Sequence, residues 1–119
     1  AVADYRVDVA AAQKIKKSAA GLTLQLVPNP DILAEVAGLP GAPFCVGFAA
    51  ETEQLAEHAE AKRQRKGLPL LVGNLAQDTL GRDTAELVLF DDQGQHTLPR
   101  ADKLTQARVL INHLVNLLT

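Results

Sequence analysis

The sequence predicts an α/β domain of three layers: a mainly parallel sheet with helices on both faces, closed by an antiparallel hairpin and a final helix. Three observations lead there. The run Phe44-Cys45-Val46-Gly47-Phe48-Ala49-Ala50 is apolar on every side, as expected of a parallel strand covered on both faces. A polar segment of helical character and a second apolar run, Leu68 to Val72, follow it, which is the order of a βαβ unit. Near the end of the chain Leu104, Ala107, Leu110, Ile111, Leu114, Val115 and Leu118 recur at helical spacing and form a face suited to packing back on a sheet.

In chain order, Ala1 to Ala3 is apolar, without an initiator Met and without a preceding turn or cap. It is expected to be the end of a buried strand, so the chain reads as a fragment. Arg6 to Gly21 is polar, rich in Lys and Ala and free of Pro, which predicts a mobile loop. Leu22, Leu24 and Leu26 then alternate with Thr23, Gln25 and Val27 in the period of a strand, and Pro28-Asn29-Pro30 stops it. Asn29 can cap a short helix with Pro30 at its first position, and Ile32, Leu33, Val36 and Ala37 follow at helical spacing up to Gly38. The apolar run from Phe44 is expected to be a central strand. A second helix begins near Glu51 and Thr52, with Thr52 as its cap, turns Leu55, Ala56 and Ala59 inward and stops at Gly67. Leu68 to Val72 is a strand that tolerates Pro69 near its start and ends at Gly73-Asn74. Glu86 to Asp91 and Gln95 to Leu98 flank Asp92-Gln93-Gly94, a hairpin turn in which glycine can take a positive φ.

Composition narrows the function classes. The 119 residues suffice for one domain with its own core, and 47% hydrophobic against 22% charged residues is an ordinary globular balance. Aromatics are only 3% and Trp is absent, so platforms for stacking nucleic-acid bases are not expected. The net charge is −2, yet Lys14 to Lys17 and Lys62 to Lys66 are basic clusters, which favours local anion binding over bulk binding of nucleic acid. One thiol, Cys45, supports neither a disulfide framework nor a Cys-based zinc site and points to a reducing, cytoplasmic setting. No stretch reaches the ~18 consecutive apolar residues of a membrane span, so no membrane partner is expected.

Ligand sites of such sheets lie beyond the carboxyl ends of the parallel strands, and Asp4, Asn29, Phe48 and Asn74 fall at or near those ends. Each admits a structural reading as well. Lys14-Ile15-Lys16-Lys17 can close over a polyphosphate, or be a solvated basic loop. Lys62 and Lys66, four apart on one helix face with His58, can hold adjacent phosphates, or complement the helix dipole. Asn29-Pro30-Asp31-Ile32 offers amides to an anion or a base edge, or is simply a cap. Asp4 can orient a ribose or help hold a metal, or be a turn residue; Phe48 can flank a base or sugar, or pack in the core. His58, His96 and His113 are scattered without ligand spacing, so a zinc site is not expected and no metal ligands can be named. Neither a Ser/His/Asp arrangement nor another nucleophile stands out.

Taken together, Ala1-Val-Ala-Asp-Tyr-Arg6, Lys14-Ile-Lys-Lys17, Asn29-Pro-Asp-Ile32, Val46-Gly-Phe-Ala-Ala-Glu-Thr52 and Arg63-Gln-Arg-Lys-Gly67 resemble, in order and spacing, the synthetase half of the bacterial bifunctional phosphopantothenoylcysteine decarboxylase/phosphopantothenate–cysteine ligase. The resemblance spans about residues 1–74; the hairpin and last helix agree in pattern more than in letters. It implies a Rossmann-like domain of which residues 1–119 are the C-terminal portion, the N-terminal part of the fold being absent. It also implies that CTP activates the carboxylate of 4′-phosphopantothenate as an acyl-cytidylate, which the amine of cysteine then attacks. Mg2+ is expected with the nucleotide, and FMN only where an intact parent carries a decarboxylase domain. Carried over by position, Asp4, Lys14, Asn29, Pro30, Asp31, Ile32, Phe48, Lys62 and Lys66 would contact CTP. Lys14 would be catalytic, and Lys14, Ile15, Lys16 and Lys17 would form a lid.

The family is a homodimer, which implies a pairing role for Glu86 to Leu98. Two departures matter: the family's glycine-rich segment and intermediate-stabilising asparagine are absent, so the chain alone is expected to be catalytically incomplete. Its Ala-Asn-Asp-Val pattern becomes Gly73-Asn74-Leu75-Ala76, which puts a polar role at Leu75 in doubt. The alternative is a non-catalytic nucleotide-binding or dimerisation module. A nucleic-acid binder is disfavoured by the acidic net charge and the scarcity of aromatics.

Overall fold

The computed structural model of the chain describes residues 2–51, 53–75 and 81–119, with the backbone alone at 75. It divides into two compact units, Ala1–Ile32 and Leu33–Thr119.

In the first unit, β1 (Tyr5–Val7) pairs antiparallel with β2 (Leu26–Pro28) in the register Tyr5↔Pro28 and Val7↔Leu26. Two flanking bonds lengthen the ladder, from Asp8 N–H to the Gln25 carbonyl at 2.9 Å and from Asn29 N–H to the Asp4 carbonyl at 2.8 Å. Two sequence expectations are corrected here. Val2 and Ala3 lie in no strand, and Val2 is exposed; Ala1 is outside the described residues. The strand expected over Leu22 to Val27 is confined to its last residues, with Leu22 and Leu24 outside the ladder and exposed. Period-2 alternation supplies an apolar face but fixes a strand only where a second layer covers that face, and none does among the described residues of this unit. Of the loop expected over Arg6 to Gly21, residues 8–21 carry no regular element, whereas Arg6 and Val7 belong to β1.

The second unit contains α1 from Leu33 onward (the helix is Ile32–Ala37), β3 (Val46–Glu51), α2 (Leu55–Lys66), β4 (Leu70–Leu75), β5 (Thr84–Asp91), β6 (Gly94–Asp102) and α3 (Lys103–Leu118). Its four strands lie in the order β3-β4-β5-β6. β3 and β4 are parallel, from Val46↔Leu70 to Glu51↔Leu75, while β4–β5 and β5–β6 are antiparallel. The α/β class, the hairpin and the closing helix are as expected, but the parallel character is confined to one of three pairings.

Leu70, Leu71, Val72 and Leu89 are fully buried, and their alternation divides the core between the two faces of the sheet. On one face Ala49, Leu71, Val88 and Phe90 pack with Ala59 and Leu55 of α2 and with Leu33, Val36 and Ala37 of α1. On the other, Leu70, Val72 and Leu89 pack with Leu110, Leu114 and Leu117 of α3. This is the expected three-layer arrangement. α2 approaches closely because Gly73 has no side chain: a Cβ there would lie 2.9 Å from Leu55 Cδ1 and 3.1 Å from Phe90 Cε2.

α2 ends as the sequence indicates. Gly67 takes φ 64°, and its N–H reaches the carbonyls of Arg63 and Gln64. The cap expected at Thr52 lies outside the described residues; Gln54 precedes the helix with φ 49° and no side-chain cap bond. Ala59 is buried as expected, whereas Ala56 is exposed. Within the described residues β3 is an edge strand, not a central one: Gly47 and Ala49 are buried while Phe48 and Ala50 are exposed.

α3 is rotated relative to the expected stripe. Gln106 and Leu110 face the sheet, whereas Leu104, Ile111, Val115 and Leu118 remain exposed. A bulge between Ala85 and Leu87 breaks the β5–β6 ladder, and Gln106 Nε2 donates to the carbonyls of Ala85 at 2.9 Å and Pro99 at 2.6 Å. That buried amide fixes the helix face. Asp102 caps α3, accepting from Thr105 N–H at 2.9 Å. Among the described residues no helix is long and apolar enough to cross a membrane.

Candidate functional site

Within the first unit the β1–β2 pairing brings Asp4 and Asn29 together, the Asp4 carbonyl accepting from Asn29 N–H. The Asn29 carboxamide is committed locally: Nδ2 donates to the Ala3 carbonyl at 2.7 Å and Oδ1 accepts from Arg6 Nη1 at 3.2 Å. The same guanidinium donates to the Pro28 carbonyl at 2.8 Å. Asn29 therefore does not cap a helix, and α1 starts at Ile32, two residues beyond Pro30. Pro30, Asp31 and Ile32 are exposed, as are Lys14, Ile15, Lys16 and Lys17 in the segment between the two strands.

Within the second unit β3 and β4 end in register at Glu51↔Leu75, so the carboxyl ends of the parallel pair coincide. Asn74 lies there opposite Ala50. Phe48 is 71% exposed, so its ring is presented to solvent instead of packing in the core. The principal feature of this end is Glu51, which the sequence reading did not single out. Its side chain is 14% exposed; Oε1 accepts from Lys62 Nζ at 2.7 Å and Oε2 lies 3.7 Å from His58 Nδ1. His58 and Lys62 are one turn apart on α2, so both reach the same carboxylate. Lys66 follows on the next turn. An anion arriving at Lys62 must therefore share that ammonium with Glu51. The signal in the sequence was a carboxylate at the end of an apolar strand just before a helix whose exposed face is basic.

The opposite end of the sheet carries a second polar group. Phe90 pairs with Leu71, which places Asp91 beside the start of β4, away from Glu51. Arg63 of α2 is 9% exposed. Its Nε and Nη2 donate to the two Glu60 carboxylate oxygens, both at 2.9 Å. Nη1 donates to the Leu68 carbonyl at 3.1 Å and to Asp92 Oδ1 at 2.8 Å. The bidentate bond from Arg63 holds the Glu60 carboxyl below its ordinary range against the opposing effect of burial.

Asp91 is more deeply enclosed, with a side chain 1% exposed. Its Oδ1 accepts from Gln93 N–H at 2.8 Å and lies 3.2 Å from His96 Nε2; Oδ2 lies 2.7 Å from His113 Nε2. Burial by itself would push the carboxyl up. The hydrogen bonds from His113, Gln93 and His96 outweigh it and hold the pKa below the ordinary value. Two of the three histidines that look scattered in the sequence thus meet on one carboxylate, one from the hairpin and one from α3.

Residues 1–118 match the family described as DNA/pantothenate metabolism flavoprotein C-terminal domain. The chain is 43% identical over 122 residues to the coenzyme A biosynthesis bifunctional protein CoaBC of Vibrio cholerae, covering 98% of this chain and 30% of that protein. The protein of the same name from Escherichia coli K12 is 43% identical over 97% of this chain and 30% of its own length. That from Bacillus subtilis 168 is 35% identical over 87% and 27%. The chain thus spans under a third of these relatives. Among solved structures, a crystal structure of the C-terminal domain of CoaBC superimposes with a TM-score of 0.74 at 24% identity, covering 98% of this chain and 50% of that one. The DNA/pantothenate metabolism flavoprotein from Streptococcus pneumoniae gives 0.64 at 16% identity, covering 79% and 42%. Both show a shared fold. On the match across nearly its whole length, the chain belongs to the DNA/pantothenate metabolism flavoprotein C-terminal domain family.

Proposed function

We propose that this chain handles the nucleotide in a CTP-dependent phosphopantothenate–cysteine ligase of coenzyme A biosynthesis. The observation that carries the reading is the 43% identity to a CoaBC protein across 98% of the chain. In this reading Asp4, Lys14, Asn29 to Ile32, Phe48, Lys62 and Lys66 contact CTP, and Lys14 to Lys17 form a lid. A carboxylate oxygen of 4′-phosphopantothenate attacks the α-phosphorus of CTP, pyrophosphate leaves, and an acyl-cytidylate forms. The cysteine amine then attacks the acyl carbon, and CMP leaves with the bonding electrons.

A carboxylate meets a triphosphate only after its charge is offset. Lysines placed around the phosphates lower that repulsion and stabilise the charge on departing pyrophosphate. Mg2+, bound through phosphate oxygens, would supply further neutralisation. Asp4 offers an exposed carboxylate of the hard-oxygen type that Mg2+ accepts, whereas Glu51 is already held by Lys62. A closed Lys14–Lys17 segment would shield the mixed anhydride from water. The exposed ring of Phe48 is available to lie against a base or sugar. The ligase works as a homodimer in this proposal, with the β5–β6 hairpin contributing to pairing, since β6 is an edge strand among the described residues. FMN enters only with a decarboxylase domain in the intact protein.

A second reading, nucleotide binding or dimerisation without catalysis, draws on the Lys62–Glu51 ion pair, which offsets one of the cations. Calorimetric titration of CTP and ATP with Mg2+ into the chain and into a Lys14→Ala, Lys62→Ala double variant tests the nucleotide assignment. CTP binding in preference to ATP, lost in the variant, is the expected result. Binding that survives the double substitution, or none by the folded chain, overturns it.

A further inference from the structure

We infer that Asp91, His96 and His113 form a binding site for a borderline divalent transition metal, with Zn2+ the fitting ion, clipping the β5–β6 hairpin to α3. The proposal is independent of the nucleotide reading. Asp91 ends β5, His96 follows the turn on β6, and His113 projects from α3, so the three ligands come from three elements. One ligand atom from each can be chosen such that all lie within 4.8 Å of one another. Tetrahedral zinc, with bonds of roughly 2.0–2.2 Å to imidazole nitrogen and carboxylate oxygen, requires ligand atoms about 3.3 Å apart. The separations of 2.7 Å from Oδ2 to His113 Nε2 and 3.2 Å from Oδ1 to His96 Nε2 are both shorter than that spacing, so the ligand atoms must open outward by up to about 0.6 Å to admit the ion.

The donor set selects the ion. Two imidazoles and one carboxylate suit zinc and its neighbours in the first transition row, whereas magnesium and calcium demand oxygen. Asp91 is prepared for the role: Gln93 N–H engages Oδ1 and orients the carboxylate, leaving Oδ2 to a metal. His96 and His113 are 36% and 21% exposed, so the cluster is open to solvent on the imidazole side and a water can fill the fourth position. The rings stand 4.9 Å apart at 55°, splayed around the carboxylate as ligands of one ion would be. Without metal, hydrogen bonds between Asp91 and the imidazoles hold the cluster; with metal, coordinate bonds to Nε2 replace them and the proton of each neutral ring sits on Nδ1.

The test is titration of ZnCl2 into the full chain by calorimetry, with CoCl2 as a spectroscopic substitute. Expected are one saturable site, visible cobalt bands of the tetrahedral type and a rise in Tm with zinc. His96→Ala and His113→Ala should each weaken zinc at least roughly tenfold. His58→Ala, at the other end of the sheet, should leave zinc affinity unchanged. MgCl2 should give no saturable heat at this site. The titration of the unaltered chain stands even if a variant fails to fold: absence of a saturable zinc site in the folded protein overturns the proposal. So does affinity undiminished in both histidine variants, or octahedral cobalt spectra.

Discussion

Arg63→Met keeps a long apolar stem in place while deleting the guanidinium, so it isolates the polar role of a side chain that is 9% exposed. Four bonds are lost, and they differ in weight. Asp92 is 90% exposed and rehydrates freely, so its bond is worth under about 1 kcal/mol. Glu60 is 34% exposed and one helical turn away; its bidentate pair adds about 1 kcal/mol. The Leu68 carbonyl is buried, and removing its donor costs about 1–2 kcal/mol. The total is about 2–4 kcal/mol, a large share of the ~5–15 kcal/mol that holds an ordinary domain folded. Urea unfolding followed by far-ultraviolet circular dichroism measures it. The loss should also depend on pH with a definite sign. Because Arg63 depresses the folded-state pKa of Glu60, its contribution is complete above the unfolded-state pKa and disappears as pH falls through the folded value. The difference between the two proteins should therefore narrow in acid. A loss below about 0.5 kcal/mol at neutral pH, or an Asp92→Asn variant as damaged as Arg63→Met, would refute the assignment of weight to the buried carbonyl.

Two further outcomes follow from the packing and from the anion site. Gly73→Val puts carbon where Leu55 Cδ1 and Phe90 Cε2 already stand 2.9 and 3.1 Å from an ideal Cβ, and overpacking of this kind costs ~1–3 kcal/mol; an unchanged urea midpoint would mean α2 lifts off the sheet without penalty. Glu51→Gln removes the counter-charge from Lys62 and should tighten CTP binding by up to about fivefold in calorimetry, whereas weaker binding would show that Glu51 positions the ammonium instead of competing for it.

Legibility in the sequence followed the range over which each signal acts. Gly67 can end α2 with a positive φ, and Asp92-Gln93-Gly94 turns the β5–β6 hairpin; both signals act over a few residues and were readable. The place of β3 in the sheet was not readable. An apolar run shows that a strand tolerates cover on both faces, but it does not show that cover is present, and Phe48 and Ala50 stand exposed. The candidate site divides in the same way. Basic residues at positions 62 and 66 were visible by their spacing, whereas the carboxylate that holds Lys62 reaches it across a strand–helix connection that spacing cannot measure.

The rotation of α3 shows why polar residues can outrank apolar ones in setting a helix face. Leu104, Ile111, Val115 and Leu118 form as regular a stripe as Leu110, Leu114 and Leu117, so periodicity offers two faces. The bulge between Ala85 and Leu87 interrupts the ladder there, and a buried carbonyl left unpaired costs about 1–3 kcal/mol, as much as burying one additional leucine gains. Gln106 is the residue of α3 that donates to Ala85 and Pro99, and bringing it inward turns Leu110 inward one turn later and His113 nearly another turn on. The bulge in one strand is thus linked through Gln106 to the meeting of His113 with Asp91. Gln106→Leu should release that constraint, letting the alternative stripe compete for the sheet and loosening the His113–Asp91 contact, which the imidazole carbon shifts of His113 in NMR spectra would report. Unchanged shifts would mean that the Asp91 cluster itself holds the helix face, and that Gln106 follows it.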